Sequence, residues 1–138
     1  MDFQEMQSFF NSKDFLARNL GMRIVALEKG YAKAVLEVKE EHKNGIGIVH
    51  GGALFSLADF AFAAASNSHG WSAVAINASI AYHKAVEQGT LTALAKELSL
   101  NFKLASYEVS IFDQSEELCA SFQGTVYRSK KQLEIEKQ

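Results

Sequence analysis

Proline is absent from this 138-residue chain, and cysteine occurs only once, as Cys119. A single cysteine cannot form an intramolecular disulfide, so the composition favours the reducing cytoplasm. The CxxC, HExxH, GxGxxG and P-loop motifs are missing too, and the four histidines show no metal-ligand spacing. These absences argue against metal sites and nucleotide-binding folds, and we expect no cofactor and no metal.

The sequence also lacks a large excess of positive or negative charge, and it has no long apolar run. The net charge is −2, and no basic block precedes the last dozen residues, which gives nucleic-acid binding little support. The apolar run between Gly52 and Ser66 is shorter than the ~20 residues of a membrane span and contains a carboxylate. The first residues lack the basic and apolar regions of a signal peptide. We therefore expect neither a nucleic-acid partner nor a membrane partner.

The composition that is present, 48% hydrophobic and 22% charged, is typical of one globular domain. An amphipathic helix over residues 3–20 precedes two β-like segments, a long apolar helix and four further β-like segments. The six β-like segments lie at residues 22–27, 31–38, 72–82, 90–104, 106–112 and 118–127. This order predicts an α+β domain in which a curved antiparallel sheet of about six strands wraps around one long central helix. We assign the domain to residues 1–130 and expect residues 131–138 to form a frayed tail.

The predicted central helix lies within residues 50–70, HGGALFSLADFAFAAASNSHG. Its Ala, Leu and Phe content predicts about four turns, and a helix that is apolar all round is expected to be buried. Asp59 is the only side chain of fixed charge between Lys43 and Lys84. An ionised carboxylate in such surroundings costs several kcal/mol unless it is paired, so it is usually kept for chemistry. The alternative is an aspartate that simply faces solvent.

Helical spacing puts Asp59 on one narrow stripe of small and polar residues, which is expected to face a cleft or a second helix. The stripe consists of Gly52, Ser56, Asp59, Ala63 and Ser66. A helix that starts at glycines presents free N–H groups and the positive end of its dipole to an oxyanion, although glycines also simply permit a tight turn.

Gly51 and Asp59 are eight positions apart, about 12 Å along a helix axis. A reacting carbonyl has to lie within roughly 3 Å of both the attacking group and the oxyanion donor. One copy of the helix cannot easily supply both groups. Joint action of the two therefore predicts a symmetric homodimer with composite sites, in which two antiparallel helices each serve the other's aspartate.

The pattern Asn44-x5-His50-Gly51-Gly52, followed by Asp59 in an Ala- and Phe-rich helix, resembles the hotdog-fold thioesterases, and within them the PaaI-like acyl-CoA thioesterases. The resemblance continues through the strand at residues 74–82, a cationic corner and the segment GTLTA, and extends over residues 20–128. It implies a hotdog fold and hydrolysis of acyl-CoA thioesters.

The resemblance implies that Asp59 is the nucleophile or the general base that activates water. It also implies that the Gly51 N–H of the neighbouring subunit binds the thioester carbonyl oxygen. Asn44 and His50 correspond to the polar pair that shapes the oxyanion end of the site. Similar proteins form dimers of dimers, so we expect a homotetramer.

Two positions depart from the family pattern. Some members carry a Ser or Thr that reaches the catalytic water, where this chain has Ala75, and Asn77 or Ser79 are the candidate substitutes. The Arg-Pro corner is replaced by His-Lys-Ala-Val at residues 83–86. Lys84 keeps the cation and is a candidate contact for a CoA phosphate, or else an ordinary surface lysine.

Acyl-CoA hydrolysis is the leading functional hypothesis. The nearby aromatic residues suit an aromatic or medium-length acyl group, and they suit a plain hydrophobic core equally well. They are Phe55, Phe60, Phe62 and Tyr82. A hotdog module that binds acyl-CoA without turnover is the first alternative, since the helper hydroxyl is missing at Ala75. A hotdog dehydratase that uses His50 is the second, but the Asn44 and HGG arrangement fits hydrolysis better.

Overall fold

The computed structural model describes residues 2–134. Within these residues there are three α-helices and six β-strands. In chain order they are α1 Phe3–Lys13, α2 Phe15–Leu20, β1 Arg23–Glu28, β2 Tyr31–Glu37, α3 Gly51–Asn67, β3 Trp71–Tyr82, β4 Thr90–Leu100, β5 Leu104–Phe112 and β6 Leu118–Gln132. No helix in this part of the chain is long and apolar enough to cross a membrane.

The strands form one antiparallel sheet in the order β1-β2-β4-β5-β6-β3. Helix α3 packs against all six strands. The predicted architecture, a six-stranded antiparallel sheet wrapped around one long helix, is therefore confirmed. It is the hotdog arrangement that the sequence resemblance implies.

Three predictions about element boundaries differ from the structure by more than one or two residues. The helix expected over residues 3–20 is two helices, because Asp14 ends α1 and caps α2 by accepting the Ala17 N–H at 3.2 Å. The turn expected at residues 103–106 lies at 101–103, where the Asn101 side chain accepts the Leu104 N–H at 2.9 Å. Strand β6 continues to Gln132, so the first two residues of the expected tail belong to the sheet, and residues 135–138 lie outside the described part.

Aromatic packing fixes the position of α3 along the sheet. The Phe62 ring centroid lies 5.4 Å from that of Phe122 and 5.8 Å from that of Tyr107. Gly124 makes room for this ring, because a Cβ at that position would lie 2.7 Å from Phe62 Cζ. Since interiors are close-packed, this contact limits sliding of the helix and sets the position of Asp59, one turn before Phe62.

The two edges of the sheet are treated differently. The β1 edge is covered by α1, where the Asn11 side chain donates to the Ile24 carbonyl at 2.9 Å and accepts the Ile24 N–H at 2.7 Å. In the part of the chain that the structure describes, the β3 edge has no such cover, and Val74 and Ile76 are 62% and 60% exposed there. An uncovered apolar edge strand is a template for pairing with another chain.

Candidate active site

The N-terminus of α3 leaves one backbone donor free. His50 caps the helix: its Nδ1 accepts the Gly52 N–H at 2.8 Å, and its carbonyl accepts the Ala53 and Leu54 N–H groups at 2.9 and 3.2 Å. Among residues 2–134, the Gly51 N–H has no acceptor. The positive end of the helix dipole therefore presents an unused donor, as an oxyanion site requires.

Tyr82 holds this donor in place from the end of β3. Its hydroxyl donates to the Gly51 carbonyl oxygen at 2.9 Å. A Cβ on residue 51 would lie 3.1 Å from Cζ and Oη of the Tyr82 side chain, so a larger residue there would require this ring to shift. Sequence reasoning assigned Tyr82 only to the acyl pocket and missed this positioning role, because no local pattern links residues 31 positions apart.

Asn44 organises the loop that leads into α3. Its Oδ1 accepts the Ile46 and Ile48 N–H groups at 3.1 and 3.3 Å, and Gly47 has a φ of 84°, a value that favours glycine. A cleft of about 360 Å³ opens beside this loop. Its lining includes Asn44, Gly51, Leu54, Tyr82, His83 and Lys84. The structure thus brings three of the five predicted site residues, Asn44, Gly51 and Lys84, to one cleft, with His50 next to it as the helix cap.

The Lys84 ammonium is already engaged. It forms ion pairs with the carboxylates of Asp113 and Glu117. Hydrogen bonds to these two groups raise the pKa of Lys84 above its ordinary value, and the ammonium lowers the pKa of Asp113. A CoA phosphate at Lys84 would have to compete with both carboxylates, so the sequence prediction for this residue meets a physical obstacle.

Asp59 lies more than two turns further along α3 and does not line this cleft. The expectation of a buried carboxylate is wrong for the single chain, in which Asp59 is exposed. The reason is topological: no helix or strand within residues 2–134 covers this side of α3. Within the described residues, its carboxylate accepts no hydrogen bond and forms no ion pair, so both oxygens are available.

The stripe on α3 is uncovered over most of its length. Gly52 and Asp59 are exposed, Ser56 and Ala63 are half-buried, and only Ser66 is buried. From Gly52 to Ala63 the stripe therefore faces away from the chain's own core, and the cleft or second helix expected opposite it stays a prediction. The free carboxylate and the helix start share one open face.

The pKa of Asp59 is raised despite its exposure. Partial desolvation by the surrounding protein is the larger cause, and the negative charge of Asp14 is the smaller one. A carboxylate with a raised pKa is a better proton acceptor. Nothing in the sequence pattern signals the influence of Asp14, because its proximity depends on how α2 packs on α3.

The candidate helper positions all lie on β3. Ala75, Asn77 and Ser79 are exposed there, and neither polar side chain bonds to Asp59 within residues 2–134. Two of the aromatic residues expected near the acyl group belong instead to the core, since Phe60 and Phe62 are 2% and 1% exposed.

Comparison with known proteins adds independent information. A protein-family model described as the thioesterase superfamily matches residues 46–120, which include Gly51, Asp59 and Lys84. A putative esterase of Archaeoglobus fulgidus is 44% identical over 126 residues, which are 91% of this chain and 82% of that protein.

Two further comparisons concern Escherichia coli. Its acyl-coenzyme A thioesterase PaaI is 37% identical over 116 residues, 83% of each protein. The solved structure of the PaaI protein from the phenylacetic acid degradation operon superposes with a TM-score of 0.89 and 32% identity, covering 96% of both chains. The similarity in sequence and the similarity in fold thus extend over most of this chain.

Proposed function

This chain belongs to the thioesterase superfamily, and from that premise we propose that it hydrolyses acyl-CoA thioesters to a free acid and CoA. The chain is a thioester hydrolase with a hotdog fold, in agreement with the resemblance seen in the sequence. One observation carries the proposal: within residues 2–134, α3 has an unused N–H at its first residue, Gly51, and an exposed, unpaired carboxylate at Asp59.

Thioester hydrolysis requires an attacking oxygen and stabilisation of the carbonyl oxygen. As a general base, Asp59 takes a proton from water while the water oxygen bonds to the carbonyl carbon. The Gly51 N–H then stabilises the oxyanion, and the intermediate collapses as the C–S bond breaks and CoA leaves as a thiolate. As a nucleophile, Asp59 itself bonds to that carbon, the C–S bond breaks as CoA leaves as a thiolate, and water hydrolyses the resulting anhydride to release the acid and regenerate the Asp59 carboxylate.

The site proposed is shared by two copies. Gly51 and Asp59 of one helix are about 12 Å apart along its axis, too far to act on one carbonyl. The β3 edge is uncovered, and antiparallel pairing with β3 of a second copy would extend the sheet and bring two α3 helices side by side in opposite directions. Each Asp59 would then face the helix start of the other copy. We propose that the protein forms this homodimer and that two dimers assemble into a homotetramer. We propose that it acts in the cytoplasm.

Asn44 and His50 keep supporting roles in this proposal. The Nδ1 of His50 accepts the Gly52 N–H as a helix cap, so the proton of the neutral ring lies on Nε2, which then has no free lone pair with which to act as a base. Asn44 holds the loop through its Oδ1, and its amide nitrogen remains free to donate towards the cleft. The occupied His50 nitrogen also disfavours a dehydratase.

The substrate proposed carries an aromatic or medium-length acyl group. With Phe60 and Phe62 in the core, Phe55 is the aromatic residue of α3 that remains half-buried, and its ring stacks edge-on against Phe122 at 5.4 Å. A flat apolar acyl group suits such a surface.

Thiol release from a panel of aromatic and straight-chain acyl-CoAs tests the proposal. Replacing Asp59 by Asn is expected to lower kcat by about 10²- to 10⁴-fold, as removal of a general base typically does. Ser56→Ala, on the same open stripe, is the matched control and should stay near the wild-type rate. Unchanged turnover in the Asp59 variant would refute the assignment.

A non-catalytic acyl-CoA-binding module is the second candidate, and Ala75 in place of a helper hydroxyl favours it. In that case, the wild-type protein would retain acyl-CoA without releasing CoA over time.

A further inference from the structure

A groove of about 540 Å³ opens where β3 and β5 begin and β6 nears its end. Its lining includes three cationic and three aromatic side chains, Trp71, Phe102, Lys103, Tyr127, Arg128 and Lys130. None of these residues takes part in the site described above. The groove lies beyond the C-terminal end of α3, at the opposite end of this helix from Gly51.

The cations of this groove are not neutralised. Among residues 2–134, no carboxylate lies within 4.0 Å of Lys103, Arg128 or Lys130. Strand β6, which supplies two of them, contains no acidic residue. In a chain with a net charge of −2, this local positive charge favours an anionic ligand. Lys84, by contrast, is held by two carboxylates.

The aromatic side chains are unusually open. Phe102 is 73% exposed, Tyr127 49% and Trp71 40%. The Lys130 ammonium lies 5.8 Å from the centroid of the Phe102 ring, so cation and ring face the same space. Exposed rings beside Lys and Arg suit a ligand that combines a flat heterocycle with phosphates, since bases stack on rings and phosphates pair with cations.

We propose that this groove binds the adenosine 3′-phosphate and diphosphate portion of CoA. The inference rests on the proposed function, because acyl-CoA carries this group at the opposite end of its pantetheine arm from the thioester. Asp59 is eight residues before the end of α3 at Asn67, about 12 Å along the axis, and Trp71 follows after a short turn. The reacting carboxylate and the groove are thus separated, as the two ends of the substrate require.

In the proposed dimer, the position of the groove is consistent with a substrate that also reaches the shared active site. Antiparallel pairing of two β3 strands brings the Trp71 end of one copy beside the Tyr82 end of the other. Tyr82 is bonded to Gly51, so the groove lies on the same side of the dimer as the second copy's oxyanion donor. One substrate molecule can then contact the groove, Asp59 of the same copy and Gly51 of the second copy.

Kinetics with matched carriers test this assignment. The same acyl group is presented on CoA and on pantetheine, which lacks the nucleotide. The double variant Lys103→Gln with Lys130→Gln removes two charges from the groove. The control is Lys131→Gln, the same type of substitution at a lysine that does not line the groove. We expect KM for acyl-CoA to rise about 10-fold in the double variant, at roughly 3-fold for each exposed charge contact, with kcat and the acyl-pantetheine parameters unchanged.

Isothermal titration calorimetry with adenosine 3′,5′-bisphosphate tests this inference separately from the hydrolase proposal. Binding that weakens in the double variant supports the groove even if the wild-type protein hydrolyses no thioester. No bisphosphate binding, together with acyl-CoA hydrolysis that the double variant leaves unchanged, overturns the groove while the hydrolase stands.

Two further outcomes would also overturn the assignment. An equal rise in KM for acyl-pantetheine would show that the lysines act on the fold or the acyl site. A changed oligomer mass in the double variant, with KM for acyl-CoA unaltered, would show that the groove is a contact between copies of the chain.

Discussion

The Tyr82 hydroxyl donates a hydrogen bond to the Gly51 carbonyl oxygen at 2.9 Å and thereby joins the last residue of β3 to the first residue of α3. The adjoining Gly51 N–H, which has no acceptor within residues 2–134, is the proposed oxyanion donor. The strand at the open edge of the sheet and helix α3 are therefore positioned by the same contact. Disturbance of this contact should affect both catalysis and assembly.

The change Tyr82→Phe removes this hydrogen bond and keeps the ring. Because Tyr82 is 51% exposed, we expect a loss of only about 0.5 kcal/mol in the free energy of unfolding. The loosened helix start should lower kcat several-fold, roughly in line with the sensitivity of rate to small displacements. Urea unfolding and steady-state kinetics measure the two effects. Tyr31→Phe is the control, and equal kcat in both variants would contradict the positioning role.

The change Asp14→Asn should shift the acidic limb of the pH profile of kcat/KM. The negative charge of Asp14 helps to raise the pKa of Asp59, and the base works only when it is ionised. Removal of that charge lowers the pKa, so the variant should keep more of its activity at acidic pH.

The control for this experiment is Asp2→Asn. Asp2 and Asp14 both cap helices, accepting N–H groups at 2.7 and 3.2 Å, and asparagine preserves a cap. A limb that moves equally in both variants, or towards higher pH for Asp14→Asn, would contradict the coupling.

The change Asp59→Asn should stabilise the fold at neutral pH while it lowers kcat. The folded-state pKa of Asp59 is raised, so its protonation favours the folded state. That contribution is fully present below the unfolded-state value of 3.8 and is lost as pH rises through the folded-state pKa.

The stabilisation by Asn should therefore appear as a higher Tm at pH 7 that shrinks as pH falls towards the ordinary range of aspartate. Since Asp59 is partly solvated, we expect a gain below about 1 kcal/mol. Thermal unfolding over a pH series measures it, and a lower Tm for the variant at pH 7 would show that the ionised carboxylate is paired in the assembled protein.

The change Ile76→Lys tests the composite site. Ile76 is 60% exposed in the single chain and lies in the middle of β3, where a buried lysine would oppose pairing of two copies. We expect a monomer in analytical ultracentrifugation and a loss of activity of at least about 10²-fold, the typical cost of losing an oxyanion donor.

Ile46→Lys is the matched control for assembly, since Ile46 is 81% exposed in the loop before α3. It should leave the oligomer intact. An active Ile76→Lys monomer would exclude a site shared between subunits.

Local sequence determined the elements and the chemistry-bearing residues. The Ala- and Phe-rich run after Gly51 and Gly52 predicts a helix because helix propensity and periodicity act over a few residues. The hairpin of β1 and β2 follows from two β-like runs separated by a short turn that contains Gly30. The sequence likewise shows that Asp59 is the only side chain of fixed charge between Lys43 and Lys84.

Tertiary structure alone decided what surrounds those residues. Strand β3 follows α3 in the chain yet pairs with β6 at the sheet edge, so it is topology that leaves β3 and the Asp59 face uncovered. Lys84 is neutralised by Asp113 and Glu117, 29 and 33 positions away. Contacts at such separations depend on the order in which strands assemble and not on local propensity. Periodicity therefore predicted which face of α3 carries the carboxylate, but not what that face meets.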